Sequence, residues 1–114
     1  MSPREARERL GDILEAVERI NRHTAAIGEA SYERDARVAD AYKDAVHYQL
    51  IVIGEAIRSL PDVVRDRDPE ISWAAILGLR NRLAHEYFRI DPEAIRQVVH
   101  KDLADLSQRV RALM

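Results

Sequence analysis

The chain has 114 residues, of which 46% are hydrophobic, and it contains no cysteine. This length fits one domain of common size, residues 1–114, with enough apolar surface for a single core. The lack of cysteine excludes disulfides and thiolate chemistry, and any zinc site would need histidine and carboxylate ligands alone. We therefore expect one domain suited to a reducing cytoplasm.

The charge balance and the apolar runs exclude two further classes of protein. A formal net charge of -2 argues against a nonspecific polycation, so any contact with nucleic acid has to be local and arranged by the fold. The amino terminus, "MSPREARERLGDILEAVERI", is charged throughout, and no apolar run approaches the roughly 18 residues that span a bilayer. The sequence predicts neither a signal peptide nor a membrane span.

The first predicted helix covers residues 3–27. Ser2, Pro3 and Glu5 have the capping-box form, with a hydroxyl at the N-cap, proline at the first helical position and glutamate at N3. Apolar residues then recur at three- and four-residue spacing up to Ile27, and Gly28 is a stop signal.

The second predicted helix covers residues 34–60. The same apolar pattern resumes at Val38 and continues until Pro61 ends it. Gly54 lies inside this helix, where glycine costs about 1 kcal/mol against alanine. We therefore expect it to permit the close approach of another helix.

The rest of the chain predicts two more helices. Residues 61–72 carry prolines and aspartates and indicate a connection with one helical turn near 62–67. Ser72 can cap a third helix that ends at His85, and Asp91-Pro92 opens a fourth that runs from 92 to near the end. No stretch alternates with a period of two, so the predicted fold class is all-α, an antiparallel four-helix bundle.

The stretch "RNRLAHEYF", residues 80–88, concentrates polar groups that can carry chemistry. On an ideal helix Arg80 and Tyr87 point nearly the same way, whereas His85 lies about 140° from Arg80. The three side chains converge only if the helix ends or bends near His85, or if a second copy of the chain supplies the missing partner. A new helix beginning at Asp91-Pro92 favours an end or a sharp turn in residues 85–91.

These residue types suit metal-free cleavage of RNA. The imidazole of His85 can take a proton from a 2′-hydroxyl or give one to the leaving oxygen, and Arg80 can stabilise the phosphorane-like transition state. One histidine cannot be base and acid at once, so two copies facing each other in a dimer make a more complete site. Asn81 can orient the imidazole or donate to phosphate, and Tyr87 can stack on a base or hold the sugar-phosphate.

A structural reading of the same stretch stays open on these grounds alone. A histidine near a helix end commonly satisfies a carbonyl or the helix dipole, and arginines beside Glu86 commonly form a solvated face.

The order of motifs around this stretch resembles the HepT-like toxins of the HEPN superfamily. "RNRLAHEY" has the Arg-x4-His-x-Tyr form of that family, and residues 51–91 repeat its series of a Gly-Glu-Ala helix, a Leu-Pro break and a Pro-x-Ile-x-Trp approach to the site. The resemblance implies a helical protomer that forms a homodimer, with the two motifs lining a shared cleft. It also implies a metal-independent endoribonuclease toxin that needs no cofactor and is encoded beside a nucleotidyltransferase antitoxin.

In such pairs the antitoxin can transfer AMP to the motif tyrosine, here Tyr87. The added phosphate and adenine would block RNA by bulk and by negative charge near Arg80. Position 86 is glutamate where the family frequently has a small residue, and its charge beside the site would weaken RNA binding. Glu86 and the acidic net charge motivate the alternative hypothesis, a noncatalytic subunit that binds a nucleotide or the nucleotidyltransferase.

For the remaining polar and aromatic residues, we mainly expect structural roles in the core or on the surface. Trp73 and Ile76 are expected in the core, and His23 and His100 are read as structural. Glu55 is either a buried acid that orients Arg80 or a solvated helical carboxylate. Two residues of the second helix either face the dimer cleft or take a core or surface role: His47 and Tyr48.

Overall fold

The computed structural model describes residues 1–27, 34–85, 97 and 99–114. Within these residues the chain forms helices and turns, without strands, which confirms the predicted all-α class. The five α-helices and one π-helical turn of this part are α1 (Pro3–Ile27), α2 (Ala36–Ser59), α3 (Asp62–Arg65), α4 (Trp73–His85), the π-helical turn Val99–Leu103, and α5 (Ala104–Leu113).

The start of α1 is the predicted one. The amide of Glu5 donates to the hydroxyl oxygen of Ser2 over 3.1 Å, and the amide of Ala6 donates to the Ser2 carbonyl over 3.0 Å. The capping-box prediction is thus confirmed for the donation to Ser2. The predicted stop at Gly28 lies outside the described residues.

Helix α2 begins two residues later than the sequence pattern predicted. Asp35 has extended backbone angles, φ -126° and ψ 109°, and its carboxylate accepts from the amide of Arg37, over 2.9 Å. Asp35 is therefore the N-cap and helical geometry starts after it. The hydrogen bonds from Arg37, side chain first and then backbone, hold the pKa of the Asp35 carboxyl below its usual range.

The predicted single turn in the connection exists as α3, within the expected residues 62–67. Helix α4 starts directly after Ser72, whose carbonyl accepts from the amide of Ile76 over 3.1 Å. The fourth predicted helix is described at residue 97 and from residue 99 onward, and its proposed cap at 91–92 lies outside the described residues. Residues Val99–Leu103 of this helix form a π-helical turn, which the sequence analysis did not predict.

The core lies between α1 and α2 and is closed by α4, the π-helical turn and α5. The predicted stripes supply it, and Trp73 and Ile76 are buried as expected. The largest fully buried side chains are Tyr42, Leu10, Ile13, Ile20, Ile53, Ile57, Leu60, Leu103, Leu106, Val17 and Val46.

One buried hydroxyl pair links the first two helices. Thr24 donates its hydroxyl proton to the carbonyl of Ile20 over 2.8 Å, and its oxygen lies 2.9 Å from the Tyr42 hydroxyl. Because the Thr24 proton is already directed at a carbonyl, Tyr42 is the donor in the second bond. The buried tyrosine hydroxyl therefore has its partner inside the bundle.

The segment before α4 is tied to α5. Arg109 contacts Glu70 at 3.2 Å and Asp68 at 3.4 Å, and Arg67 donates to the Leu113 carbonyl over 2.9 Å. Glu70 first, and Asp105 after it, raise the pKa of the Arg109 guanidinium above its usual value. These contacts hold the segment that leads into α4 against α5.

Across the described ranges, no helix is both long enough and apolar enough to cross a membrane.

Candidate active site on α4

Arg80 lies on the face of α4 that packs against α2. A Cβ built on Gly54 would lie 3.6 Å from Arg80 Cγ, 3.7 Å from Arg80 Cδ and 3.5 Å from Leu77 Cδ2. The stem of the arginine thus crosses the backbone of α2 at a position that carries no side chain. Gly54 thus lies at the contact between α2 and α4, but these are ordinary van der Waals distances, so the contact would also admit an alanine and the expected need for glycine is not borne out.

The guanidinium of Arg80 is held by two neighbours. Its Nη1 donates to Asn81 Oδ1 over 2.9 Å, and its Nη2 lies 3.9 Å from Glu55 Oε1. The Arg80 side chain is 24% exposed, and its Nε is enclosed without a hydrogen-bond partner among the described residues. A half-buried guanidinium held in this way presents its remaining donors to a ligand in a fixed orientation.

Asn81 has a different partner from the one expected. The sequence allowed it to orient the imidazole or to donate to phosphate, and the structure shows its carbonyl oxygen accepting from Arg80. Because the side-chain amide of Asn81 is planar, its two N–H protons point away from that bond. Asn81 is also exposed. Donation to phosphate stays compatible with this geometry.

Glu55 combines the two alternatives that the sequence left open. Its side chain is 60% exposed, so it is a solvated carboxylate, yet it lies within ion-pair distance of Arg80. It also lies 3.7 Å from Nη1 of Arg58, one turn farther along α2. Glu55 therefore stands between two guanidinium groups.

His85 is exposed at the end of α4. Within the described part of the chain it makes no hydrogen bond with Arg80 or Asn81. His85 follows Arg80 by five positions, and on a straight helix this spacing places the two side chains about 140° apart around the axis. The single protomer brings Arg80 and Asn81 together and leaves His85 to one side of them.

Part of the predicted site region lies beyond α4, outside the described residues. Glu86, Tyr87 and Asp91 lie outside the described residues. The predicted turn in residues 85–91, the AMP-accepting hydroxyl of Tyr87 and the charge of Glu86 therefore stay predictions.

A cavity of about 560 Å³ lies on the opposite face of α4 from Arg80. Ala75, Leu79 and Arg82 line it from α4, while Lys101 and Leu106 line it from the far side. Arg80 and Arg82, two positions apart in the motif, therefore have different surroundings, since Arg80 packs on α2 and Arg82 lines this cavity.

The remaining candidates fall mainly on the surface. His23 and His100 are exposed, His47 is half-buried, and Tyr48 is 64% exposed on α2. Across the residues that the structure describes, no group of three or more histidine, aspartate or glutamate side chains is arranged to hold a metal ion.

Sequence reasoning missed Arg58. The available signal was its position three residues after Glu55, which places both on one face of a helix. A contact between Glu55 and Arg80 was one of the two alternatives for Glu55, and the structure adds Arg58 as a second neighbour of that carboxylate.

Fold and site together define an all-helical protein. One of its helices, α4, carries the guanidinium of Arg80 and the imidazole of His85 about one and a half turns apart. A family described as "HepT-like: Ribonuclease HepT-like" matches residues 13–113. The chain belongs to this HepT-like ribonuclease family, as the sequence resemblance indicated.

Three relatives illustrate the match. The chain is 30% identical to the "Probable ribonuclease HepT" of Thermococcus cleftensis over 96% of each protein. It is 32% identical to the "Putative RNase TTE0752" of Caldanaerobacter subterraneus over 57% of this chain and 58% of the relative. It is 31% identical to the "Gamma-glutamylcyclotransferase and putative RNase MJ0434" of Methanocaldococcus jannaschii over 92% of this chain and 46% of the relative.

The chain thus spans less than two thirds of the length of the last two relatives. No solved structure matches the chain.

Proposed function

We propose that this protein is a metal-independent endoribonuclease that acts as the toxin of a toxin–antitoxin pair. The observation that carries the proposal is the half-buried guanidinium of Arg80, fixed by Asn81 and backed by α2, on the helix that ends with an exposed imidazole. Membership of a ribonuclease family supports the same chemistry.

The proposed reaction is an internal transesterification. The 2′-oxygen forms a bond to phosphorus, the bond to the 5′-oxygen breaks, and the products are a 2′,3′-cyclic phosphate and a 5′-hydroxyl. His85 accepts the proton of the 2′-hydroxyl, and Arg80 stabilises the charge that develops on the phosphate oxygens. Asn81 supports Arg80 and donates an amide proton to the same phosphate.

The leaving 5′-oxygen needs a proton from a second acid. His85 of the partner subunit supplies it in a homodimer whose two motifs line one cleft. The exposed position of His85, to the side of Arg80, supports an arrangement in which the site is completed by another copy of the chain.

Tyr87 is the proposed point of control. A nucleotidyltransferase antitoxin transfers AMP from ATP to its hydroxyl with release of pyrophosphate, and the new phosphate competes with RNA for the Arg80 guanidinium. Glu86 lowers RNA affinity further by its charge.

The test is cleavage of a labelled RNA in excess EDTA by protein expressed without any nucleotidyltransferase, with Tyr87 checked by intact mass. His85→Ala is expected to reduce the cleavage rate at least about 100-fold, the contribution of a general acid-base residue. His23→Ala is the matched control, because His23 is an exposed histidine on α1, and it should cleave like the wild type. Equal cleavage by the wild type and His85→Ala would overturn the proposal.

The alternative function is a noncatalytic subunit that binds a nucleotide or the nucleotidyltransferase. The position of Glu55 favours it, because a carboxylate within 4 Å of both Arg58 and Arg80 partly neutralises the surface that RNA would need. Absence of cleavage by unmodified, dimeric wild-type protein, together with binding of ATP or AMP, would support this function over the first.

A further inference from the structure

Arg58, Glu55 and Arg80 form a row of alternating charge that joins α2 to α4. Glu55 Oε1 lies 3.7 Å from Nη1 of Arg58 and 3.9 Å from Nη2 of Arg80. Both arginines therefore meet the same carboxylate oxygen. We refer to these three residues as the charged row.

The geometry of the charged row limits the separation of its two cations. Because both nitrogens contact one oxygen, they can be no farther apart than those two distances laid end to end. The two guanidiniums therefore lie close together on one surface, as in a basic groove that tracks the backbone of a single strand. They are near enough to each other to contact neighbouring phosphates of one chain.

Arg58 is accessible for such a contact. Its side chain is 54% exposed, whereas Arg80 is 24% exposed. A guanidinium has five donors in a planar fork, so it can keep one edge on a carboxylate and present another to a phosphate. Glu55 also lowers the repulsion between the two cations in the absence of RNA, since it lies between them.

We propose that the RNA site extends along α2, with Arg58 binding the phosphate next to the one held by Arg80 and Glu55 setting the spacing between them. The inference rests on the proposed function, because it assigns a substrate contact to the same site. It predicts that Arg58 contributes to binding of the strand and leaves the chemical step to Arg80 and His85.

The first experiment measures binding of a single-stranded 2′-O-methyl RNA, which lacks the attacking hydroxyl, across a series of KCl concentrations. Each phosphate contact on a single strand contributes about 0.7 to the slope of log affinity against log salt concentration. Arg58→Ala should reduce the magnitude of that slope by about 0.7, and Arg58→Lys should retain it because the charge remains.

Arg37→Ala is the matched control for net charge. Arg37 is an exposed arginine paired with Asp35 at the other end of the same helix, about 30 Å from Arg58 along the axis of α2. Its removal should leave the slope unchanged. An equal slope for Arg58→Ala and Arg37→Ala would overturn the inference.

Cleavage kinetics on ordinary RNA separate this inference from the proposed function. Arg58→Ala should raise KM by about tenfold with little change in kcat, the signature of lost uniform binding. If the wild type cleaves RNA and Arg58→Ala behaves like Arg37→Ala, the second phosphate contact is wrong and the ribonuclease stands. If the wild type neither cleaves nor binds RNA, both proposals fall.

Discussion

At the residue scale, the site depends on where one arginine is fixed. Arg80 has its stem on the backbone of α2 and its head between Asn81 and Glu55. Residue chemistry and the resemblance to the HepT-like family identify Arg80 and His85 as candidates. A contact between Glu55 and Arg80 was also among the alternatives, but the place of Arg58 beside the same carboxylate follows only from the way the helices meet.

A second residue-scale feature is the buried hydroxyl of Tyr42. Tyr42→Phe removes the donor to Thr24 without changing the ring, so we expect a loss of about 1 kcal/mol in the free energy of unfolding. Urea denaturation of the two proteins measures it.

Tyr48→Phe is the control for this change, because Tyr48 is 64% exposed on the same helix. It should change the free energy of unfolding by less than about 0.5 kcal/mol. Equal effects at the two positions would contradict the assignment of Tyr42 as a buried donor.

At the element scale, apolar spacing and end signals predicted most helix bounds. Pro61 ends α2, and the capping box at Ser2 starts α1. The start of α2 was placed two residues early, because an apolar stripe does not distinguish an extended N-cap from the first helical residue. Aspartate is a favoured N-cap residue, and the bond from the Arg37 amide to its carboxylate identifies Asp35 as the cap.

The contact between α2 and α4 can be tested through Gly54. Gly54→Ala should stabilise the protein by up to about 1 kcal/mol, because alanine has the higher helix propensity and its methyl group would make ordinary contacts with Leu77 and Arg80. Thermal unfolding measures the stability, and RNA cleavage should be retained.

Gly54→Leu is the informative partner variant. A leucine side chain would occupy the space of the Arg80 stem, so cleavage should fall while the helical circular dichroism remains. Full activity in Gly54→Leu would mean that the Arg80 position is not set by this contact.

At the scale of the whole molecule, the bundle is closed by polar contacts between residues far apart in sequence. Arg109 joins α5 to Asp68 and Glu70 in the connection before α4, a tie that no local pattern predicts. The fold class was predictable because amphipathic stripes determine which faces are buried. The partners of the charged surface residues were not, because they depend on how the helices cross.

The contribution of the Arg109 contacts to stability can be compared with that of an ion pair within one helix. Arg109→Ala should lower the thermal midpoint more than Arg19→Ala, because Arg19 pairs with Glu15 on its own helix and such exposed pairs contribute little. High salt should reduce the difference between the variants, since screening weakens the contacts of Arg109. An equal midpoint for both variants would show that the tie does not support the bundle.

The Arg80 stem packs against α2 at Gly54, so the arrangement around Arg80 depends on the contact between α2 and α4. Among the described helices, α1 and α2 share the most extensive pairing, while the pairing of α4 with α2 is less extensive. Opening events in proteins are local before they are global, and weakly packed elements open first. If α4 separates from α2, Arg80 loses its contacts with both Gly54 and Glu55, although most of the helical bundle is still folded. We therefore expect the arrangement around Arg80 to be lost on warming before the fold is lost, because it lasts only as long as a single helix contact.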